Sequence, residues 1–123
     1  MPYIPLPLIA QLLTSTAAPV TTFECNYPTY SDKKGVHAAK SPMRLSFIVD
    51  PATEKAYLTG ELGSSEVQMI SNTDGLTFLE ITPSGNVMTT TITAGGESVH
   101  SRNTILFKNE LVASQHYGSC RKK

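Results

Sequence analysis

The side chains best suited to chemistry are concentrated in residues 97–103, whose sequence is ESVHSRN. If this segment is a β-strand, His100 and Arg102 lie on one face and Thr104 continues it, because alternate side chains of a strand point to the same side. A His/Arg pair beside a carboxylate such as Glu80 could support acid–base catalysis on a phosphate ester. The first hypothesis is therefore a small hydrolase or nuclease that uses His100 and Arg102.

The same side chains also fit a solvated strand face, and we favour that interpretation over catalysis. It predicts a non-enzymatic protein in which His100, Arg102 and Thr104 are candidate contacts for a partner. Ser101 and Asn103 fall on the other, more apolar face of the strand. Because polar groups that face a core need hydrogen-bond partners, we expect these two to bond each other or to line a polar cavity.

No motif for a metal or a cofactor accompanies this segment. His37, His100 and His116 lie in separate segments, without the close spacing typical of zinc ligands. Cys25 and Cys120 do not form a Cys-x-x-Cys pair. The chain also contains neither a glycine-rich phosphate-binding motif nor a Gly-x-Ser-x-Gly elbow. We therefore expect no catalytic, cofactor-binding or metal-ligating residues.

The two cysteines are predicted to have a structural role. Cys25 lies in the first plausible strand, and Cys120 is the fourth residue from the end. This placement predicts a disulfide between the first and last strands, the alternative being two unrelated buried thiols. A bridge that closes nearly the whole chain is worth about 4–5 kcal/mol in the chain-entropy description. Disulfides persist in oxidising compartments, so the pair also bears on location.

The elements that must position these residues are short β-strands. Residues 76–107 read LTFLEIT, VMTTTIT and SVHSRNTILF, separated by the turn sequences PSGN and AGGE. The segment 43–50 alternates as a half-buried strand does, and its apolar face comprises Met43, Leu45, Phe47 and Val49. The sequence NTDG at residues 72–75 predicts a tight hairpin turn.

Turn signals recur at roughly the 8–12-residue spacing typical of an all-β sandwich or barrel. The fold class predicted is therefore all-β: a small antiparallel meander, closed as a barrel or a sandwich, of about seven or eight strands. We assign residues 21–123 to this single domain. Longer loops are predicted at residues 31–41 and 61–65, and these loops are further candidate surfaces for a partner.

Residues 1–20 form a separate segment, MPYIPLPLIAQLLTSTAAPV, without a charged side chain. An apolar run followed by small residues resembles a secretory signal and predicts a secreted or periplasmic protein. No basic residue precedes the run, and Pro5 and Pro7 interrupt it. The alternative is an extended arm that packs on another chain in a virion or surface assembly. The run is too short for a membrane-spanning helix.

The charge balance excludes some partners. Formal net charge is zero and the sequence pI is about 6.8, so no overall field attracts nucleic acid or anionic lipid. The basic residues 121–123 are interpreted as a solvated tail. Tryptophan is absent, which disfavours a stacking platform for single strands. We expect another protein as the partner, no nucleic acid and no membrane span, with the oligomeric state left open.

Two resemblances add to this interpretation. The stretches TFLEITPSGNVMTTTI, SVHSRNTILF and ELVASQHYGSC resemble a group of small bacterial or phage-associated proteins to which no activity is assigned. That resemblance implies a shared fold alone. The layout from Cys25 to Cys120 is similar to the small periplasmic barrels that inhibit lysozymes. The function we expect is a non-enzymatic binding or inhibitory module of the envelope or extracellular space.

Overall fold

The protein is an eight-stranded closed barrel in a computed structural model that describes residues 19–61 and 63–123. Each strand pairs antiparallel with the next, and the last closes onto the first. The strands are β1 (Thr21–Asp32), β2 (Gly35–Asp50), β3 (Lys55–Gly60), β4 (Gly63–Asn72), β5 (Gly75–Ile81), β6 (Val87–Thr93), β7 (Glu97–Leu106) and β8 (Glu110–Lys122). A short 3₁₀ turn, Phe107–Asn109, connects β7 to β8. The predicted all-β meander is confirmed, in its barrel form. Of the signal or arm predicted at residues 1–20, residues 1–18 lie outside the described residues.

The predicted central strands and turns are confirmed as β5, β6 and β7. Asn72 pairs with Gly75 across the turn that the NTDG sequence predicts. Gly85 and Gly96 have φ angles of 89° and 97° in the two following turns. Glycine enters this left-handed region without the steric cost that a side chain would add, so these positions set the hairpin geometry.

The prediction of a loop at residues 31–41 is wrong, because these residues form a β-hairpin. The ladder between β1 and β2 continues through Ser31↔Val36 to Asp32↔Gly35, leaving a two-residue turn. The Asp32 carboxylate accepts a hydrogen bond of 2.8 Å from the backbone N–H of Lys34 and stabilises that turn. The segment is polar because this hairpin projects into solvent, so its composition is that of a loop although its backbone is paired. The turn predicted at 61–65 is also shorter, since β4 begins at Gly63.

The apolar core fills one end of the barrel. The Phe47 and Phe78 rings stack with centroids 4.3 Å apart, and Phe23 meets Phe78 edge-on at 6.2 Å. The predicted inward face of β2 is confirmed, because Leu45 and Phe47 are buried while Met43 and Val49 pack against the core. We call this the closed end; it carries the turns that follow β2, β4 and β6.

The predicted disulfide is confirmed. Cys25 and Cys120 face each other across the β1–β8 pairing, with Cα atoms 4.0 Å apart, and they are bonded. The bond links residues 95 positions apart and covalently closes the seam between the first and last strands. It suggests an oxidising, non-cytoplasmic environment. In the part of the chain that the structure describes, no helix has the length and apolar character needed to cross a membrane.

The opposite end is open because neighbouring strands pair over only part of their lengths. The β2–β3 register runs no further than Ser46↔Thr59, so the paired residues of β2 before Ser46, which are 35–38 and 43–45, pair with β1 alone. The β4–β5 register likewise stops at Gln68↔Leu79. The tip of the β3–β4 hairpin therefore extends beyond its pairing with β2 on one side and with β5 on the other. We call this the open end; it carries the turns that follow β1, β3, β5 and β7 and contains the candidate functional site.

Candidate functional site

Strand β7 places Ser98, His100 and Arg102 on the inner face of the barrel. His100 is 1% exposed, and Ser98 is also buried. The Tyr27 hydroxyl lies 2.8 Å from the Ser98 Oγ, which confirms the direction of this face. Arg102 is half-buried one step nearer the open end, and Thr104 continues the row. The structure therefore brings His100 and Arg102 together, as the alternation predicted.

The predicted orientation of this face was wrong. His100 and Arg102 were expected on a solvated surface, with Ser101 and Asn103 facing the core. Asn103 is instead exposed, and Ser101 lies on the outer face with it. The error follows from the apolar residues of β7, because Ile105 shares the outer face and is 65% exposed. A barrel interior that becomes polar toward one end reverses the usual rule that the more apolar face is buried.

His100 holds Arg102 in place. Its Nε2 accepts a hydrogen bond of 2.8 Å from the Arg102 Nε, so its Nδ1 carries the proton and donates to the Thr90 Oγ1 at 2.6 Å. Burial, together with the smaller effects of the Arg102 and His116 charges, lowers the pKa of His100 to about 3. The imidazole is neutral with both nitrogens occupied. It therefore positions Arg102 and has no free lone pair for a general base.

Arg102 has a charge that is not paired by any carboxylate in the described residues. Beyond its bond to His100, its Nη2 donates to the Met43 Sδ, a weak acceptor, at 3.4 Å. Burial lowers the Arg102 pKa, while the charge of Glu80 acts in the opposite direction. A guanidinium has five N–H donors, so most of them remain available to water or to a ligand.

A cavity of about 630 Å³ opens beside Arg102, between β2 and the short β3–β4 hairpin. Its apolar wall consists of Met43, Leu45, Leu58 and Met88. Its charged lining residues are Arg102 and Glu80, which are half-buried, and Arg44 and Glu61, which are exposed at its rim. The Ser65 hydroxyl donates a 2.7 Å hydrogen bond to the Glu80 Oε2 and so links β4 to β5 where their ladder has ended. Cavities of roughly 300–1,000 Å³ with mainly apolar walls and a few oriented polar groups are typical of small-molecule sites.

A second recess, of about 460 Å³, lies on the outer surface near the disulfide. Its carboxylate, Glu24, is already paired with Arg121 at 3.2 Å and with Lys123 at 3.5 Å. These partners, Lys123 foremost, hold the pKa of Glu24 below its usual value. The carboxylate of this recess is thus already neutralised, and its remaining charged residue, Arg44, is exposed to solvent, whereas Arg102 is half-buried and oriented by His100.

The three histidines meet in one row across the open end, although the sequence places them in separate segments. Tyr30 packs between His37 at 5.0 Å and His116 at 5.5 Å, measured between ring centroids. His116 continues to His100 at 5.9 Å. Burial lowers the pKa of His116, as does the charge of Arg102. Only the Tyr30 and His116 rings are stacked, and the other pairs are tilted. The described residues contain no group of three or more metal-ligating side chains that could hold an ion.

Sequence reasoning did not identify two further members of the site, Tyr27 and Thr90. Tyr27 is fully buried, and burial raises its pKa. Its position two residues after Cys25 could have revealed it, since both then share the inner face of β1. Thr90 lies between Met88 and Ile92 in the alternation of β6. Because threonine runs are common in strands, nothing in the sequence indicated that Thr90 belongs to the site.

No family model, curated protein or solved structure matches this chain. The resemblances drawn from the sequence therefore stay predictions. The fold and the site define a class by themselves: a small antiparallel meander barrel, closed by a disulfide, whose open end contains a cavity and a positioned arginine.

Proposed function

We propose that this chain is a non-enzymatic binding module of the envelope or extracellular space that holds a small ligand in the open end of its barrel. The cavity beside Arg102 is the observation that carries the proposal. Eight-stranded barrels can enclose one small ligand, and the size and lining of this cavity are those of ligand sites. The disulfide supports a site of action outside reducing compartments.

The geometry favours binding over turnover. A general base needs a free lone pair within hydrogen-bond reach of the proton it removes. His100 donates through Nδ1 and accepts through Nε2, and it is almost completely buried. The hydrolase or nuclease hypothesis depends on His100 as an acid–base group, so this network supports the binding proposal instead.

The burial of His100 also bears on the predicted protein partner. A side chain that is 1% exposed is not available to a protein surface, whereas Arg102 can be reached through the cavity. A small molecule that enters the cavity satisfies this restriction. The prediction of a protein partner stays a prediction, and such a partner would use surfaces other than His100.

The fluorescent probe anilinonaphthalene sulfonate tests the proposal because it combines aromatic rings with an anionic group. Native protein should bind it saturably, with one site per chain. Met88→Trp should weaken this binding at least about tenfold, which corresponds to about 1.4 kcal/mol, because Met88 lines the cavity and a larger side chain would fill it. Met69→Trp is the matched control, since Met69 is 43% exposed and does not line the cavity.

The titration is read by direct excitation of the probe, and circular dichroism establishes that each variant is folded. If Met88→Trp does not fold, Met88→Phe replaces it with a smaller increase in volume. Saturable binding that is equally strong in both variants would place the probe elsewhere and overturn the proposal. Absence of saturable binding to the native protein would also overturn it.

A further inference from the structure

We infer that the ligand at the open end is a small zwitterion, with a carboxylate for Arg102, an ammonium for Glu80 and an aromatic group against Met43 and Met88. The inference rests on the proposed function and specifies its ligand class. An aromatic α-amino acid has all three features.

A carboxylate in the ligand is inferred from the contacts of Arg102. Hydrogen bonds from Arg102 to His100 and from His100 to Thr90 orient the guanidinium from behind. Its other acceptor among the described residues is the sulfur of Met43, and none of the ion pairs among those residues includes Arg102. A half-buried cation without an anionic partner is costly, and the planar guanidinium matches a carboxylate in a two-bond geometry. The position and orientation of Arg102 therefore suit a carboxylate of the ligand.

An ammonium group in the ligand is inferred from Glu80, which also lines this cavity. Among the described residues, the Glu80 side chain accepts one hydrogen bond, from the Ser65 hydroxyl to Oε2. Glu80 is near enough to influence the ionisation of Arg102, yet the two do not form a direct ion pair. An anion bound at Arg102 would leave the charge of Glu80 uncompensated, and a cation bound at Glu80 would leave that of Arg102 uncompensated. A ligand with both charges complements both residues.

An aromatic group in the ligand is inferred from the apolar wall of the cavity. Met43 and Met88 line the cavity together with Leu45 and Leu58. Thioether sulfurs make favourable contacts with aromatic rings, and methionine adapts to an irregular ligand surface. The volume of about 630 Å³ accommodates an amino acid with a ring and its hydration.

Isothermal titration with four compounds that share one phenyl group tests each feature separately. Phenylalanine has both charges, phenylpropanoate lacks the ammonium, phenethylamine lacks the carboxylate, and phenethyl alcohol lacks both. We expect phenylalanine to bind most tightly. Removal of either charge should weaken binding about 10- to 100-fold, since a hydrogen bond to a charged group contributes roughly 1.5–3 kcal/mol.

Two variants assign each preference to its residue. Arg102→Gln should remove the preference for phenylalanine over phenethylamine and leave its preference over phenylpropanoate. Glu80→Gln should do the reverse. This cross-pattern separates recognition from a general loss of structure, which would weaken all four compounds together. If one variant does not fold, the other still tests its own ligand group: Arg102→Gln tests the carboxylate and Glu80→Gln tests the ammonium.

The outcomes distinguish the inference from the proposed function. Equal binding of phenethyl alcohol and phenylalanine, or tighter binding of phenylpropanoate, would overturn the zwitterion and leave a binding cavity in place. Failure of all four compounds to bind would also overturn it. The anilinonaphthalene sulfonate titration then decides the proposed function on its own.

Discussion

Reduction of the Cys25–Cys120 bond should remove a large part of the stability of this barrel. The bond joins residues 95 positions apart. With this loop length, the chain-entropy expression gives about 4.7 kcal/mol at room temperature. Small domains have a total stability of roughly 5–15 kcal/mol, so the loss is a substantial fraction of the whole.

The assay is urea unfolding of the wild-type protein, followed by circular dichroism, with and without a phosphine reductant. This comparison keeps every packing atom in place and changes only the cross-link. The reduced protein should lose about 4.7 kcal/mol of unfolding free energy. Its urea dependence should become steeper, because an unfolded chain without the cross-link exposes more surface.

The double variant Cys25→Ala/Cys120→Ala is the control, and its unfolding should not respond to the reductant. A fall of less than about 1 kcal/mol in the reduced wild type, with an unchanged urea dependence, would refute the reasoning. It would mean that the unfolded chain already keeps its ends together or that the bond strains the native seam by a comparable amount.

Two further predictions concern a buried histidine and a close backbone approach. The free energy of unfolding should decrease by up to about 1.4 kcal/mol per pH unit as the pH falls from 6.5 toward 3, because unfolded His100 binds a proton that the folded residue, with a pKa of about 3, does not. Urea unfolding at several pH values measures this slope; His100→Gln should flatten it, and an equal slope in both proteins would contradict the assignment. Gly118→Ala should destabilise or prevent folding, because its Cβ would lie 1.9 Å from the Asn26 carbonyl oxygen. Gly60→Ala, whose Cβ would have its nearest neighbour, on Leu45, at 3.6 Å, should change stability by no more than about 0.5 kcal/mol, and equal melting temperatures for the two variants would contradict this difference.

The strands could be predicted because their signals are local. Alternation from Met43 to Val49 marks the inner face of β2, and the NTDG turn positions the β4–β5 hairpin. The disulfide could be predicted because its cysteines lie in the first and last strands, which a closed meander makes neighbours. The strands and the turn are thus predicted from residues close together in sequence, and the disulfide from the positions of its two cysteines in the first and last strands.

The site could be predicted only in part, because it depends on features that local patterns do not contain. The pairing of His100 with Arg102 follows from strand periodicity, but their inward direction depends on a polar interior. The cavity exists because the β2–β3 ladder stops at Ser46↔Thr59, a consequence of unequal strand lengths. Neither composition nor spacing encodes that difference.

The most direct measurement of binding at the open end is NMR of protein labelled with ¹³C at the methionine methyl groups, titrated with anilinonaphthalene sulfonate. The methyl groups of Met43 and Met88 line the cavity, whereas Met69 lies outside it and is an internal control. We predict that the Met43 and Met88 signals shift along one saturable curve while the Met69 signal stays in place. Shifts confined to Met69, or equal shifts at all three residues, would contradict a ligand site in the barrel.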